Sequence, residues 1–348
     1  MPSFTELSLS AQTAYAQVLE AALSAEHLRS VADLSGSFAA KTVRGQKYWY
    51  FQYTEPSSKL RQIFVGPDNE AVQALIARKA NESPRATLGP LVRSASALGH
   101  AEILSRHFRV IQRLSEYGFF HAGGVLIETH AFLAFGNMLG VRWGDASRTQ
   151  DVDFAHAGKN LAVALPSNLA INTHAAINSL EMGFLPISSL TSKGGANNLY
   201  PKEPEFRLDF LTSLHRGGEA PFEHPQLGVT LQPLKFMEFS LENVQQAALL
   251  SGEKVVVVNV PHPARYALHK LLVYGEREGA FAAKSNKDLA QAGSLLAYLK
   301  EHRRWDVDEA WSDLKSRGRG WTSRARQGVD ALNKAFPELD AKNWLTLP

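Results

Sequence analysis

The feature that most limits what this chain can fold into is the run Arg148-Thr149-Gln150-Asp151-Val152-Asp153, continued by Phe154 and Ala155. Two acids alternate with apolar residues, the pattern of a strand. Side chains at i and i+2 of a strand point to one side. Asp151 and Asp153 are therefore expected to share a face. A second such run, Phe206-Arg207-Leu208-Asp209-Phe210-Leu211, sets a third acid among apolar residues. Acids interleaved with buried residues are costly to desolvate unless a cation or hydrogen bonds hold them. Neighbouring strands would bring the three together.

Oxygen ligands of this kind suit Mg²⁺ or Mn²⁺, and Mg²⁺ is usually held by one or two carboxylates together with substrate phosphates. The expectation is a metal cradle of Asp151, Asp153 and Asp209 for phosphoryl transfer. Two ions there would bridge the attacking and leaving oxygens of an in-line displacement. Asp209 could also accept the proton of an attacking hydroxyl. Arg148 and Thr149, just before the pair, are placed to contact phosphate oxygens. Arg207 shares a face with Asp209 and could neutralise charge there. The competing reading is ordinary: most isolated Asp-x-Asp pairs are solvated loop residues.

The rest of the chain supplies the setting. Of its 348 residues 45% are hydrophobic and 20% charged, which suits a globular protein with a sizeable core. The absence of cysteine excludes disulfides, thiolate zinc sites and cysteine nucleophiles. No run approaches the roughly 18 apolar residues of a membrane span, and the start lacks a signal-peptide pattern. A soluble, cytoplasmic protein without a membrane partner is expected. Residues 1–117 read as an N-terminal region. It has a helix over 5–33, a hairpin of Lys47–Tyr53 and Arg61–Val65 turning at Glu55–Ser58, and helical stretches at 69–81 and 94–117. Residues 118–260 read as a mixed α/β core. Its strands fall at Phe119–Ile127, Val152–Ala155, Leu161–Leu165, Arg207–Leu211 and Val255–Val260. Thr129 caps a helix to Leu139, and Ser192–Asn198 is a loop. Residues 261–348 read as a helical C-terminal domain. Within it Tyr266 and Lys270, four apart, share a helix face, and Lys287-Asp288 open the next helix. Lys315, Arg317, Arg319, Arg324 and Arg326 cluster about Trp321. A solvated basic face is the plainer account, single-stranded nucleic acid the bolder one. The aromatic hairpin is likewise more often a packed sheet than a base-stacking platform.

Taken together, a strand, a small-residue turn, a helix, then Arg148-x-x-Asp151-x-Asp153 and later Arg207-x-Asp209 resemble the DNA polymerase beta-type nucleotidyltransferase superfamily. Within it the likeness is to a bacterial branch of predicted nucleotidyltransferases akin to abortive-infection toxin-type enzymes, over roughly residues 118–295. The resemblance implies an α+β fold: a nucleotidyltransferase-like mixed β-sheet flanked by helices. It implies Mg²⁺ or Mn²⁺ and an NTP substrate, whose nucleotide passes to a hydroxyl of RNA, protein or a small molecule. A toxin-like role with an antitoxin-like partner belongs to the same implication. Lys270 and Lys287-Asp288 resemble that branch's helical lysine and later basic-acidic pair. Phosphate binding is thereby implied for the lysines, and nucleotide or helix positioning for Asp288.

The superfamily's first strand ends in a glycine turn that lets backbone approach the triphosphate. Two segments here align with it. Ala122-Gly123-Gly124 has the residue types. Ile127-Glu128-Thr129 fits the strand and helix better, keeps Thr129 as a phosphate contact, and puts the anion of Glu128 beside the phosphates. That departure motivates an alternative, a catalytically inactive interaction or nucleic-acid-binding module on the same fold. A glycosyltransferase, which can also use Asp-x-Asp, would need alternating strands and helices before residue 118, where a helix and a hairpin stand instead.

Overall fold

A computed structural model of the chain describes residues 4–27, 36–54, 60–80, 88–144, 149–156, 173–180, 182, 185–187, 196–214, 218–225, 227–276 and 282–345. Arg148, the expected strand Leu161–Leu165, the turn Glu55–Ser58 and the first four residues of the expected loop Ser192–Asn198 lie outside the described residues.

The N-terminal region runs β1 (Phe4–Glu6), α1 (Leu9–His27), β2 (Ser37–Val43), β3 (Gln46–Thr54), β4 (Leu60–Pro67), α2 (Glu70–Ala80), α3 (Leu88–Ala97) and α4 (Ser105–Glu116). Aromatic and β-branched residues drive β3 and β4 into the expected antiparallel hairpin, and β2 adds a third strand. The helical stretch at 94–117 is two helices, because Gly99 turns the chain at a φ of 108°. Phe4 to Glu6 begin as a strand that pairs with Val141–Trp143, so the first helix starts later than its periodicity implied.

The centre follows as β5 (Gly124–Leu126), α5 (Glu128–Leu139), β6 (Val141–Trp143), β7 (Val152–His156), α6 (Thr173–Asn178), β8 (Leu185–Ile187), β9 (Asn197–Leu199), β10 (Arg207–Ser213), β11 (Phe222–His224), β12 (Val229–Leu234), α7 (Met237–Leu241), β13 (Val244–Ser251) and β14 (Lys254–Pro261). The main sheet has the order β11-β12-β10-β7-β5, with β9 also on β10. β10 is parallel to β7 and β12, while β5 is antiparallel to β7. The sheet is therefore mixed, as expected. Phe154 and Phe210, paired across β7 and β10, stack at 5.3 Å and point one face into the core with Phe119. The hairpin β13–β14 is tied to β5 by Asn259, whose amide donates to the carbonyls of Phe120 and Gly124 at 2.7 and 2.9 Å.

The C-terminal part is helical: α8 (Pro263–Glu276), α9 (Ala282–His302), α10 (Arg304–Ser316), α11 (Arg319–Ala335), a 3₁₀ turn at Pro337–Leu339, and α12 (Ala341–Trp344). One hydrophobic cluster runs from Ile103 on the approach to α4, through Phe154 and Phe210 in the sheet, to Leu272, Leu296 and Leu345. Helices and sheet thus form an α+β architecture. No helix among the described residues is long and apolar enough to cross a membrane.

Candidate active site

Parallel pairing of β7 with β10 places Asp153 directly opposite Asp209. Paired residues on adjacent strands face the same side, roughly 5 Å apart. Both acids are half-buried. The opposite face of each strand is apolar and packed, which is why the two acids have only one side to occupy. The Ile127 N–H donates to the Asp153 carbonyl at 3.0 Å, so the entry to α5 is fastened beside the pair.

That entry differs from the expected cap. β5 is short, and the strand-to-helix turn falls at Ile127-Glu128-Thr129, the second of the two alignments. Ile127, extended at φ −126°, holds the N-cap position, and Thr129 lies inside the helix. A β-branched hydroxyl residue reads as a cap by type, but the left-handed residue before it moves the start. Glu128 has a φ of 54°, a conformation glycine adopts freely and other residues adopt at a cost of about 1–2 kcal/mol. Thr129 is buried, and its hydroxyl accepts from Gln291 Nε2 at 3.4 Å.

The Glu128 carboxylate is held by Lys270 Nζ, which also donates to Asp288 Oδ1 at 2.7 Å. Lys270 and Asp288 are each only 2% exposed. Burial pushes the lysine down, but the carboxylates of Glu128 and Asp288 outweigh it and hold the ammonium well above its usual range. The Tyr266 hydroxyl closes the cluster, 3.0 Å from the Glu128 carbonyl and 2.8 Å from Gln291 Oε1. Tyr266 and Lys270 share the helix face that their spacing implies, and Lys287-Asp288 lie on the facing helix α9.

A cleft of about 950 Å³ opens next to this cluster. Thr149, Asp151, Arg207 and Lys287 line it, with His107 and His130 beside them. Thr149 is occupied locally, its hydroxyl accepting from the Asp151 N–H at 3.3 Å. Lys287 joins cleft and acids. Burial and then the Lys270 charge lower its pKa, against the opposing pull of Glu128, Asp153 and Asp288. Of the expected residues, Thr149, Asp151, Arg207 and Lys287 share the cleft, Asp153 and Asp209 pair in the sheet, and Lys270 and Asp288 share the buried cluster. No group of three or more His, Asp or Glu side chains able to hold a metal ion occurs among the described residues.

Sequence reasoning assigns no role to the two histidines. His107 Nε2 accepts from Arg106 Nε at 3.4 Å, so its proton belongs on Nδ1, which faces His130 Nε2 at 3.0 Å. His130 then carries its proton on Nδ1, which has no hydrogen-bond partner among the described residues. Burial is the first cause that lowers His107 to about 4 and His130 to about 3, so both are neutral near pH 7. Their only sequence signal is position: His107 sits among the apolar residues of α4, His130 two after Glu128. Two of the five basic residues of the C-terminal stretch are ion-paired within the chain, while Arg319 and Arg326 are exposed. Arg317 donates to Glu242 and Asp313, Arg324 to Glu276, and Trp321 packs edge-on to Phe236 at 4.7 Å.

Comparison with known proteins places this geometry. Residues 105–316 match a family model described as Nucleotidyltransferase. No curated protein matches the chain. A crystal structure of an antigenic nucleotidyltransferase-like protein from Paracoccidioides brasiliensis is similar over 71% of this chain and 95% of that one, at 15% identity and a TM-score of 0.34.

Proposed function

The chain belongs to the nucleotidyltransferase family, and on that premise we propose that it moves a nucleotide from an NTP to a hydroxyl acceptor with a divalent cation. The observation that carries the reading is the side-by-side pair Asp153 and Asp209 at the entry to α5. Two like charges fixed this close are stabilised by a cation between them. Lys287 supplies part of that charge. The pair also matches the one or two carboxylates by which Mg²⁺ is held when substrate phosphates fill its other positions. When bound, Mg²⁺ or Mn²⁺ would neutralise charge that develops on the transferring phosphate.

Each residue has a role in this reading. Asp153 and Asp209 hold the cation, and Asp151 adds a carboxylate on the cleft side. Asp209 takes the proton of the acceptor hydroxyl. Thr149, Arg207 and Lys287 contact phosphate oxygens, Thr129 ties the entry of α5 to α9 through Gln291, and Asp288 holds Lys270. The polymerase beta-type branch is the finer assignment favoured by the spacing of the Asp-x-Asp and Arg-x-Asp runs. The acceptor is a hydroxyl of RNA, protein or a small molecule.

The test is incubation with each labelled NTP, Mg²⁺ or Mn²⁺, and total RNA or protein. Asp153→Asn and Asp209→Asn should each cut labelling by about 100-fold or more, at least what the loss of an outer-shell partner of a metal ligand costs. Undiminished labelling by either variant would sink the reading. One observation favours a second reading, a module that keeps the fold without turnover. Lys270, implied as a phosphate ligand, is engaged by Glu128 and Asp288. That reading expects no labelling by the wild type and no Mg²⁺-dependent thermal shift with any NTP.

A further inference from the structure

The charge of this chain is unevenly spread. Residues 36–80 hold seven Lys and Arg against three Asp and Glu, whereas the whole chain nets only +3. This segment is the three-stranded sheet β2–β3–β4 followed by α2. Alternation along the strands divides its side chains between two faces. One face is packed: Phe51 is fully buried, with Phe38 edge-on at 5.3 Å and Lys79 of α2 over its ring at 5.6 Å. Trp49 stands on the same side, its indole N–H donating to Asp68 at 2.9 Å.

The other face is built differently. Register puts Lys41 opposite Tyr48, and Tyr50 opposite Phe64. The three rings form one cluster, Phe64 lying 6.0 Å from Tyr48 and 5.5 Å from Tyr50. Phe64 is 56% exposed, although apolar rings of this size are ordinarily covered. Lys41 Nζ stands 4.7 Å from the centre of the Tyr50 ring. Arg44 is exposed at the turn between β2 and β3. No acid stands among the paired residues of this face.

We propose that this face binds single-stranded nucleic acid. Bases have apolar faces that stack on aromatic rings regardless of sequence, while phosphates demand cations beside them. Tyr48, Tyr50 and Phe64 supply the rings, and Lys41 and Arg44 the cations. Two cations beside the rings, with no acid among the paired residues of this face, select a polyanion over an apolar protein surface. Duplexes hide their base faces, so they gain only the electrostatic part. The surface involves none of the residues assigned to transfer, so it stands whether or not the transferase reading does.

The experiment is a fluorescence-anisotropy titration of the full chain, without NTP or metal, using labelled 12-nucleotide single-stranded RNA, its DNA equivalent and a duplex of the same length. Single strands should bind more tightly than the duplex. Tyr50→Ala with Phe64→Ala should weaken single-strand binding about tenfold or more, as loss of base stacking does. Lys41→Gln with Arg44→Gln should flatten the dependence on salt. If circular dichroism shows the aromatic double variant misfolded, Phe64→Ala alone carries the test, since that ring is the most exposed. Equal affinity for duplex and single strand, or wild-type binding by Phe64→Ala, would overturn the proposal, as would no binding at all.

Discussion

At the scale of the residue, Glu128 joins a left-handed backbone to a buried ion pair at the entry to α5. Its backbone takes the left-handed conformation that a glycine would occupy without cost. Its carboxylate then engages Lys270, the cation nearest the turn. Strain and ion pairing act in opposite directions here. Glu128→Gly removes about 1–2 kcal/mol of backbone cost, and it also removes one of the two carboxylates that hold a buried ammonium. Asp288 remains at 2.7 Å, so Lys270 keeps a partner. In the transferase reading, the substitution also removes an anion from beside the triphosphate. A unit charge at 4 Å is worth about 4 kcal/mol at the effective dielectric near a protein surface. Glu128→Gly should therefore tighten MgATP binding at least about tenfold, measured by isothermal titration at fixed ionic strength. Unchanged or weaker binding would show that Glu128 does not stand in the path of the phosphates.

At the scale of the element, α8 is fixed from two sides. One face carries Tyr266 and Lys270 to the site, and the other meets α11 at backbone distance. A Cβ at Gly328 would overlap the Leu271 carbonyl oxygen, and one at Gly275 the Arg324 carbonyl. Glycine to alanine inside a helix ordinarily gains about 1 kcal/mol. At Gly328 the sign should reverse, to a loss of about 1–3 kcal/mol from overpacking. Gly320, also in α11, has only the Arg324 side chain at 3.6 Å and should show the ordinary gain on substitution. Urea denaturation of both variants checks the pair, and equal stabilities would show that the helices are not in backbone contact. This contact illustrates the limit of the sequence. β7, β10, β14 and the aromatic hairpin were legible because alternation and β-branching act locally. So were α5, apart from its cap, and the helices after Pro263. The break at Gly99 and the short strands β1 and β6 were not, because distant partners decide them, and β5 was expected longer, as Phe119–Ile127. The same holds at the site. Asp151, Asp153, Asp209 and Lys287 announce themselves by spacing or resemblance. The grip of Lys270 on Glu128, 142 residues away in the chain, does not.

At the scale of the whole molecule, the core is held at neutral pH by histidines that stay uncharged. Burial is the first cause in every case, lowering His107, His224 and His269 to about 4, His130 to about 3, and His156 below its usual value. They also occur in pairs: His107 with His130, and His156 with His224, whose rings lie 4.6 Å apart. Two protonated rings in one pair would repel each other. The unfolded chain takes up these protons near pH 6.5, whereas in the folded chain His107, His224 and His269 resist until about pH 4 and His130 until about pH 3. Between those limits the unfolded state binds more protons, so stability rises with pH and falls on acidification. A tenfold difference in proton affinity between folded and unfolded chain is worth about 1.4 kcal/mol, and domains are typically stable by only about 5–15 kcal/mol. Most carboxylates titrate below about pH 4.5, so the interval from pH 7.5 to 5 isolates the histidines. The thermal midpoint, followed by near-ultraviolet circular dichroism, should drop by at least about 5 °C across it. His130→Gln should shrink that drop, because one of the protons taken up on unfolding is gone. A midpoint equal or higher at pH 5 would mean that these rings are charged in the folded state and open to solvent.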